Sequence, residues 1–315
     1  MLQVDPMGFT GGPSFFDAEA PELEADRDEI EARLALMIEQ YPEAMREGVR
    51  ELGVPFARAV LALDDGKPDQ ALQLLLALPD DAPLVCWERA RAAHALGDGA
   101  AAIAGLQAFA QYAGRHHPIG ANHTGVYLAQ LLAEAGDAKQ GLRVMRDVRA
   151  REPGAGGFVF AQLLMIDGAY PEAEKVLAKM IEQHPQEAAL YTLLARVRVA
   201  GGERMAAMRA LEASFEAICC SPGKCGSRPP DLDAHRLLAT LYLEDGLETA
   251  RGLELARTAA GLVRQPTWED AYLAALAARA SGQPEAPALA QRLRALTPDE
   301  HPGAARVERL LEARP

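Results

Sequence analysis

Apolar residues in this chain recur every three or four positions, in segments that short turns separate. The stretch from Gly154 to Cys220 shows this best, because Gly168 and Gly202 each lie between two such segments. The two glycines are 34 residues apart, and a constant interval of that length with a small residue at each turn is typical of stacked helix pairs. Few segments alternate between apolar and polar residues, so strands are not expected.

The same kind of turn recurs along most of the chain. The predicted turn glycines are Gly66, Gly97, Gly136, Gly168, Gly202, Gly246 and Gly282. Their successive intervals are 31, 39, 32, 34, 44 and 36 residues, so the array is irregular, and the two longest intervals mark insertions. The first insertion contains His116-His117-Pro118, and the second contains three of the four cysteines.

The central segments resemble the tetratricopeptide repeat (TPR) family at specific positions. Each unit of that family has two antiparallel helices, with a Leu and a small residue on the first and an Ala followed by a large apolar residue on the second. The clearest matches are Tyr191, Leu194, Ala195, Gly202, Ala207 and Leu211, and then Phe160, Ala161, Gly168, Tyr170, Ala173 and Leu177. The resemblance implies an all-α fold, an α-solenoid of about six to seven TPR-like helix-turn-helix repeats in a right-handed superhelix.

The chain is predicted to have four parts. Residues 1–20 form an irregular N-terminal arm, and residues 21–51 form an acidic helical extension. Residues 52–300 form the TPR-like repeat array, with a Cys-containing insertion at 219–231, and residues 301–315 form a C-terminal capping helix. Outside the array, helices are predicted from about Pro21 to Gln40, from Pro42 to Leu52 and from Gly303 to Arg314.

Acidic residues outnumber basic ones, and the excess is uneven. The 315 residues carry a formal net charge of −13, and the first 40 residues hold most of it. Nucleic acids and anionic membranes need clustered Lys and Arg, so neither is expected as a partner. No secretory signal pattern and no apolar run of membrane-spanning length is visible, which favours a cytoplasmic protein.

The resemblance also implies a binding surface. In TPR-like arrays the inner, concave face is formed mainly by side chains of the first helices. Carried onto matching positions, the expected partner-binding residues are Trp87, Arg91, His94, Gln130, Phe158, Gln162, Arg196 and Arg236. Trp and Arg are common anchors of protein interfaces, so a peptide with apolar anchors and a few acidic groups would suit this face.

The second insertion carries Cys219, Cys220 and Cys225. Such thiolates could bind a soft metal, with His184 or His235 completing the site, or could form a redox element. The C-C-x4-C spacing is not that of a zinc finger, however, and the cysteines could equally be small apolar fillers. No catalytic motif is present and no cofactor is indicated.

These observations favour a non-enzymatic scaffold or adaptor that binds a segment of a partner protein in the concave groove. Two alternatives stay open. One is a metal- or redox-responsive accessory protein that uses the Cys219/Cys220/Cys225 loop. The other is an assembly subunit that forms a homo-oligomer through the N-terminal arm or the terminal helices.

Overall fold

The computed structural model is built mainly from helices and describes residues 27–113, 118–119, 122–219 and 231–312. The chain divides into two compact units, Met1–Asp167 (unit 1) and Gly168–Pro315 (unit 2). Unit 1 contains α1 (Arg27–Gln40), α2 (Glu43–Asp64), α3 (Pro68–Leu76), α4 (Pro83–Ala95), α5 (Gly99–Ala113), α6 (Thr124–Glu134), α7 (Ala138–Arg151) and α8 (Gly157–Ile166). Unit 2 contains α9 (Tyr170–Gln183), α10 (Ala188–Ala200), α11 (Arg204–Cys219), α12 (Leu232–Asp245), α13 (Thr249–Leu262), α14 (Trp268–Ala280), α15 (Ala286–Ala295) and α16 (Ala304–Glu312).

Consecutive helices pack as pairs in each unit. The pairs are α2/α3, α4/α5 and α6/α7 in unit 1, and α10/α11, α12/α13 and α14/α15 in unit 2. We call the even-numbered helices α2 to α14 first helices and the odd-numbered helices α3 to α15 second helices. Neighbouring first helices also contact each other, as α2 does α4 and as α12 does both α10 and α14. The predicted all-α repeat fold is confirmed.

Glycines in the left-handed conformation close the turns within the pairs. All seven predicted turn glycines have a positive φ, between 65° and 87°. At Gly202 the amide of the glycine donates to the carbonyl of Val199, and the next amide, of Glu203, donates to the carbonyl of Arg198. This helix cap needs a left-handed residue, which glycine adopts without steric cost. The sequence pattern therefore located these helix ends correctly.

Small residues let the two helices of a pair approach closely. On α7, a Cβ added to Gly141 would lie 2.6 Å from the carbonyl oxygen of Ala129 on α6. Alanines without any exposed surface occupy the matching small positions of other helices; they include Ala59, Ala71, Ala90, Ala102, Ala195, Ala207 and Ala239. Because the backbones lie so close, the packing leaves no room for larger side chains at these positions.

The structure departs from the predicted elements in two places. The predicted short helix up to Leu52 continues directly into the repeat array as α2, and only Gly53 (φ 59°, ψ −150°) interrupts it. In the first insertion, Pro118–Ile119 (β1) pairs antiparallel with Asn122–His123 (β2), although no strands were expected. Helical periodicity lapses there, and a short hairpin satisfies backbone groups that a helix would otherwise pair.

Candidate functional site

Trp87, the first of the predicted site residues, is buried in unit 1. Only 2% of its surface is exposed. Its ring centroid lies 5.4 Å from that of Phe109 and 5.7 Å from that of Tyr127. The expectation of an exposed Trp anchor is therefore wrong. Cys86 is also buried, so α4 buries adjacent side chains, which a helix covered on one side alone does not do.

A buried carboxylate follows Trp87 on the same helix. Glu88 is 1% exposed, and it accepts hydrogen bonds from the hydroxyl of Tyr41 at 2.9 Å and from Nη1 of Arg91 at 2.7 Å. The other terminal nitrogen of Arg91 lies 3.2 Å from Oδ1 of Asp64 on α2. Burial raises the pKa of Glu88, and Arg91 and Tyr41 only partly offset that effect. Arg91, a predicted site residue, already has two carboxylate partners.

His94 joins α4 to α6 through a second polar cluster. Its Nδ1 lies 2.8 Å from the hydroxyl of Tyr127, and its Nε2 lies 3.1 Å from Oε2 of Glu134. The side chain of Gln130 donates to Oε1 of the same glutamate at 3.1 Å. Burial alone would raise the pKa of Glu134, but the hydrogen bonds from His94 and Gln130 lower it. The structure thus brings together two predicted residues, His94 and Gln130, with two that sequence reasoning missed.

Phe158 and Gln162 lie one turn apart on α8, and both are half-buried. In the part of the chain that the structure describes, neither side chain makes a hydrogen bond or a ring contact. The ring that stacks with a cation on this helix belongs instead to Phe160, which lies 4.8 Å below the guanidinium of Arg149. Phe158 and Gln162 therefore present an accessible apolar and polar pair on a first helix.

In unit 2 the two predicted arginines belong to a continuous row of charges across three first helices. Arg196 of α10 donates to Oδ2 of Asp233 on α12 at 2.7 Å. Arg236 of α12 contacts Oδ1 of Asp233 at 3.1 Å and donates twice to Oδ1 of Asp270 on α14, at 2.9 and 2.7 Å. We call these four residues the charge strip. Neither arginine is free, because each is bound to a carboxylate of a neighbouring first helix.

A second carboxylate centre in unit 2 was not anticipated from the sequence. The carboxylate of Glu244 on α12 accepts hydrogen bonds from Arg204 at 2.8 Å, from Arg306 of α16 at 2.9 Å and from the hydroxyl of Tyr272 at 2.8 Å. Burial opposes ionisation of Glu244, but the charge of Arg306 and the hydrogen bonds from all three groups lower its pKa. The same burial and the nearby carboxylate raise the pKa of Tyr272 to about 12. The sequence shows only the spacing of charged residues within one helix. The three partners of Glu244 lie on three different helices, so their meeting could not be predicted from that spacing.

Comparison with known proteins agrees with this architecture. A family model for the tetratricopeptide repeat matches residues 132–197. The chain is similar to the crystal structure of a tetratricopeptide repeat protein from Parabacteroides merdae ATCC 43184, with 14% identity, a TM-score of 0.61, and coverage of 82% of this chain and 96% of that one. The protein is a TPR-like helical repeat protein.

Other likenesses are weaker. The C-terminal part of a TPR repeat-containing protein from Cytophaga hutchinsonii is 12% identical, with a TM-score of 0.48 and coverage of 82% of this chain and 100% of that one. No curated protein sequence matches the chain. At such identities the likeness concerns the fold alone, so the site of this TPR-like protein has to be inferred from its own residues.

The cysteine hypothesis falls largely outside the described residues. Cys219 is the last residue of α11, whereas Cys220 and Cys225 lie in the undescribed segment, as do His116 and His117 in the other insertion. Within the described ranges, no group of three or more His, Cys, Asp or Glu side chains could hold a metal ion. Nδ1 of His235, one suggested ligand, already lies 2.7 Å from the carbonyl oxygen of Asp231.

None of the described helices combines the length and the apolar character that crossing a membrane requires.

Proposed function

We propose that this TPR-like protein is a non-enzymatic interaction scaffold that binds a segment of a partner protein along the faces of its first helices. The observation that carries the proposal is the charge strip of unit 2. Three successive first helices share it, and Arg196 keeps 32% and Asp233 46% of their side-chain surface exposed. A partner lying across α10 and α12 would meet the exposed parts of Arg196 and Asp233, whereas Arg236 and Asp270 are mostly covered.

The partner segment that the structure favours differs from the partly acidic peptide that was expected from the sequence. Both arginines of the charge strip are already paired with carboxylates, and so is Arg91 in unit 1. An acidic partner would have to compete with those carboxylates, which costs interaction energy. A polar segment that supplies both donors and acceptors can instead extend the existing pairs. The net charge of −13 further supports a protein partner over a nucleic acid.

In unit 1 the same role falls to His94, Phe158 and Gln162. His94 keeps 22% of its side-chain surface exposed, and the Phe158 ring is half-buried on α8. On α8 the Phe158 ring lies one helical turn from the side chain of Gln162, and an aromatic ring near a hydrogen-bonding group is a common form of interface anchor. Trp87 is not part of this surface, and replacing it would test folding rather than binding.

Site-specific photo-crosslinking tests this proposal in the native source. A photoreactive amino acid replaces Arg196 on first helix α10, and in a control chain it replaces Lys179, which is exposed on second helix α9. We expect the Arg196 position to crosslink a discrete partner and the Lys179 position to crosslink little of it. Stronger crosslinking of the same partner from Lys179 would contradict the proposal, because the first-helix face would then not be the surface that is bound.

A further inference from the structure

A cleft of about 370 Å³ lies in unit 2 between second helix α11 and the turn that joins α12 to α13. Its floor is apolar and is formed by Met205, Met208, Leu247 and the ring of Tyr242. Met205 is 54% and Leu247 40% exposed. Single exposed apolar side chains are common on folded surfaces, but these two line the same cleft together with Met208 and Tyr242. The volume is at the low end of the range of about 300–1,000 Å³ for ligand pockets.

The rim of the cleft is mainly acidic. Three glutamates, Glu212, Glu216 and Glu248, line it with a single cation, Arg209. Glu212 is engaged, since it accepts from the hydroxyl of Tyr242 at 3.0 Å and lies 3.5 Å from Arg251. Among the described residues, the carboxylates of Glu216 and Glu248 form no hydrogen bond or ion pair. Two exposed carboxylates that have no partner in the described part of the chain therefore line the cleft beside its apolar side chains.

We propose that this cleft is a second binding surface, which takes a basic peptide segment with one large apolar side chain. The apolar side chain would lie on Met205, Met208 and Leu247, because methionine adapts its shape to varied apolar partners. Lys or Arg residues on either side would pair with Glu216 and Glu248. The cleft involves second helix α11, so this inference goes beyond the first-helix proposal, and its failure would leave that proposal intact.

Charge decides between the possible occupants. The first 40 residues of this chain carry ten acids and two arginines, so the rim glutamates would repel the N-terminal segment.

A larger cleft in unit 1, of about 780 Å³, lacks an apolar floor of this kind. It is lined mostly by polar residues of mixed charge, among them Gln107, Gln140, Arg143 and Asp147, and it favours no ligand chemistry.

The direct test uses the full chain and a labelled synthetic peptide that has one leucine between two pairs of lysines. Two control peptides replace the leucine by serine or the lysines by glutamates. We expect the first peptide alone to raise fluorescence anisotropy and to shift the methyl NMR signals of Met205 and Met208. Equal binding of the serine peptide would overturn the proposal, because it would reduce the effect to general attraction to an acidic protein.

Matched variants locate the binding. Glu216→Lys with Glu248→Lys should weaken the leucine peptide at least about tenfold, and so should Met205→Ser with Leu247→Ser. The controls are also double variants: Glu182→Lys with Glu300→Lys makes the same change of charge at exposed positions away from the cleft, and Leu296→Ser with Leu76→Ser removes two apolar side chains that are 75% and 62% exposed. Both controls should leave binding unchanged. Equal weakening by the controls would refute the site.

Light scattering on the free protein tests whether a second copy of this chain occupies the cleft instead of a basic peptide. We expect the mass of one chain at all concentrations for the wild type and for Met205→Ser. If the mass doubles and Met205→Ser abolishes the doubling, a second copy covers the cleft, and the basic-peptide proposal is wrong.

Discussion

Glu88 in unit 1 and Glu244 in unit 2 are both largely buried on first helices, yet their pKa values move in opposite directions. Glu88 has one arginine and one tyrosine hydroxyl, and burial raises its pKa. Glu244 has two arginines and one tyrosine hydroxyl, and these partners lower its pKa in spite of burial. Three differences act together: Glu88 is more completely buried, the nearby Asp64 raises its pKa further, and Glu244 has a second arginine that offsets its desolvation.

The chain has two tryptophans, one in each unit, and they allow the stability of the two units to be measured separately. Trp87 lies next to Glu88 in the sequence of unit 1. Trp268 in unit 2 stacks on Tyr272, with 5.3 Å between the ring centroids. Labelling with 5-fluorotryptophan gives one NMR signal for each unit. Unfolding of each unit by urea can then be followed separately in the same sample.

Removal of the single arginine partner should have the largest effect. Arg91→Ala leaves Glu88 buried with only the Tyr41 hydroxyl, so we expect unit 1 to lose about 3–5 kcal/mol of unfolding free energy at neutral pH. The matched change Arg306→Ala should cost unit 2 only about 1–2 kcal/mol, because Arg204 remains on Glu244 as a second cation. Equal losses in the two units, read from the two fluorine signals, would contradict the comparison.

An indirect change should disrupt the Glu244 centre without touching its members. A Cβ at Gly303 would lie 2.2 Å from the ring of Trp268, so Gly303→Ala should displace the start of α16, which carries Arg306. We expect a loss of about 1–3 kcal/mol in unit 2. Gly261→Ala is the control, since open space surrounds that position, and it should be neutral or slightly stabilising. An unchanged fluorine unfolding curve for Gly303→Ala would show that α16 is not held against Trp268.

The repeat pattern made part of this structure predictable, and the limits of the prediction are physical. The turn glycines and small packing residues follow from local backbone geometry, so Gly168, Gly202 and Ala195 could be assigned from their spacing. Trp87 could not, because its burial depends on Phe109 and Tyr127 from two other helices. Arg306 and Glu244 are 62 residues apart in the sequence. Because the repeat lengths are irregular, the repeat spacing does not predict which residues of distant helices come into contact.

The opposite pKa shifts also predict opposite responses of the two carboxylates to acid. The folded pKa of Glu88 is raised, so its contribution to the stability of unit 1 falls as pH rises through that pKa and recovers on acidification. The folded pKa of Glu244 is lowered. Its contribution is therefore complete above the ordinary value of 4.5 and is lost as pH falls through the folded pKa.

Amide substitutions test this response. Glu88→Gln should make the stability of unit 1 respond less favourably to acid than in the wild type, because the contribution of Glu88 at low pH is removed, and Glu244→Gln should remove part of the acid loss of unit 2. Urea unfolding at a series of pH values, followed by the fluorine signals, gives both slopes. If the two glutamines change the slopes in the same direction, the assigned pKa shifts are wrong.

The smallest effect is expected in the charge strip. Arg196→Ala removes a partly exposed ion pair with Asp233, and such pairs contribute about 0–1 kcal/mol. The stability of unit 2 should therefore change little, whereas partner binding should weaken without being lost, because the other first-helix contacts remain and a photoreactive residue at position 196 can still capture the partner. A loss of several kcal/mol by urea unfolding would mean that the charge strip holds the helices together rather than serving recognition.

Hydrogen–deuterium exchange of the full chain, with and without the partner captured from position 196, tests the central claim that the first-helix faces are the binding surface. We expect added protection in peptides from α10 and α12 and little change in α9 and α13. Protection confined to the second helices, with α10 and α12 unchanged, would contradict the account.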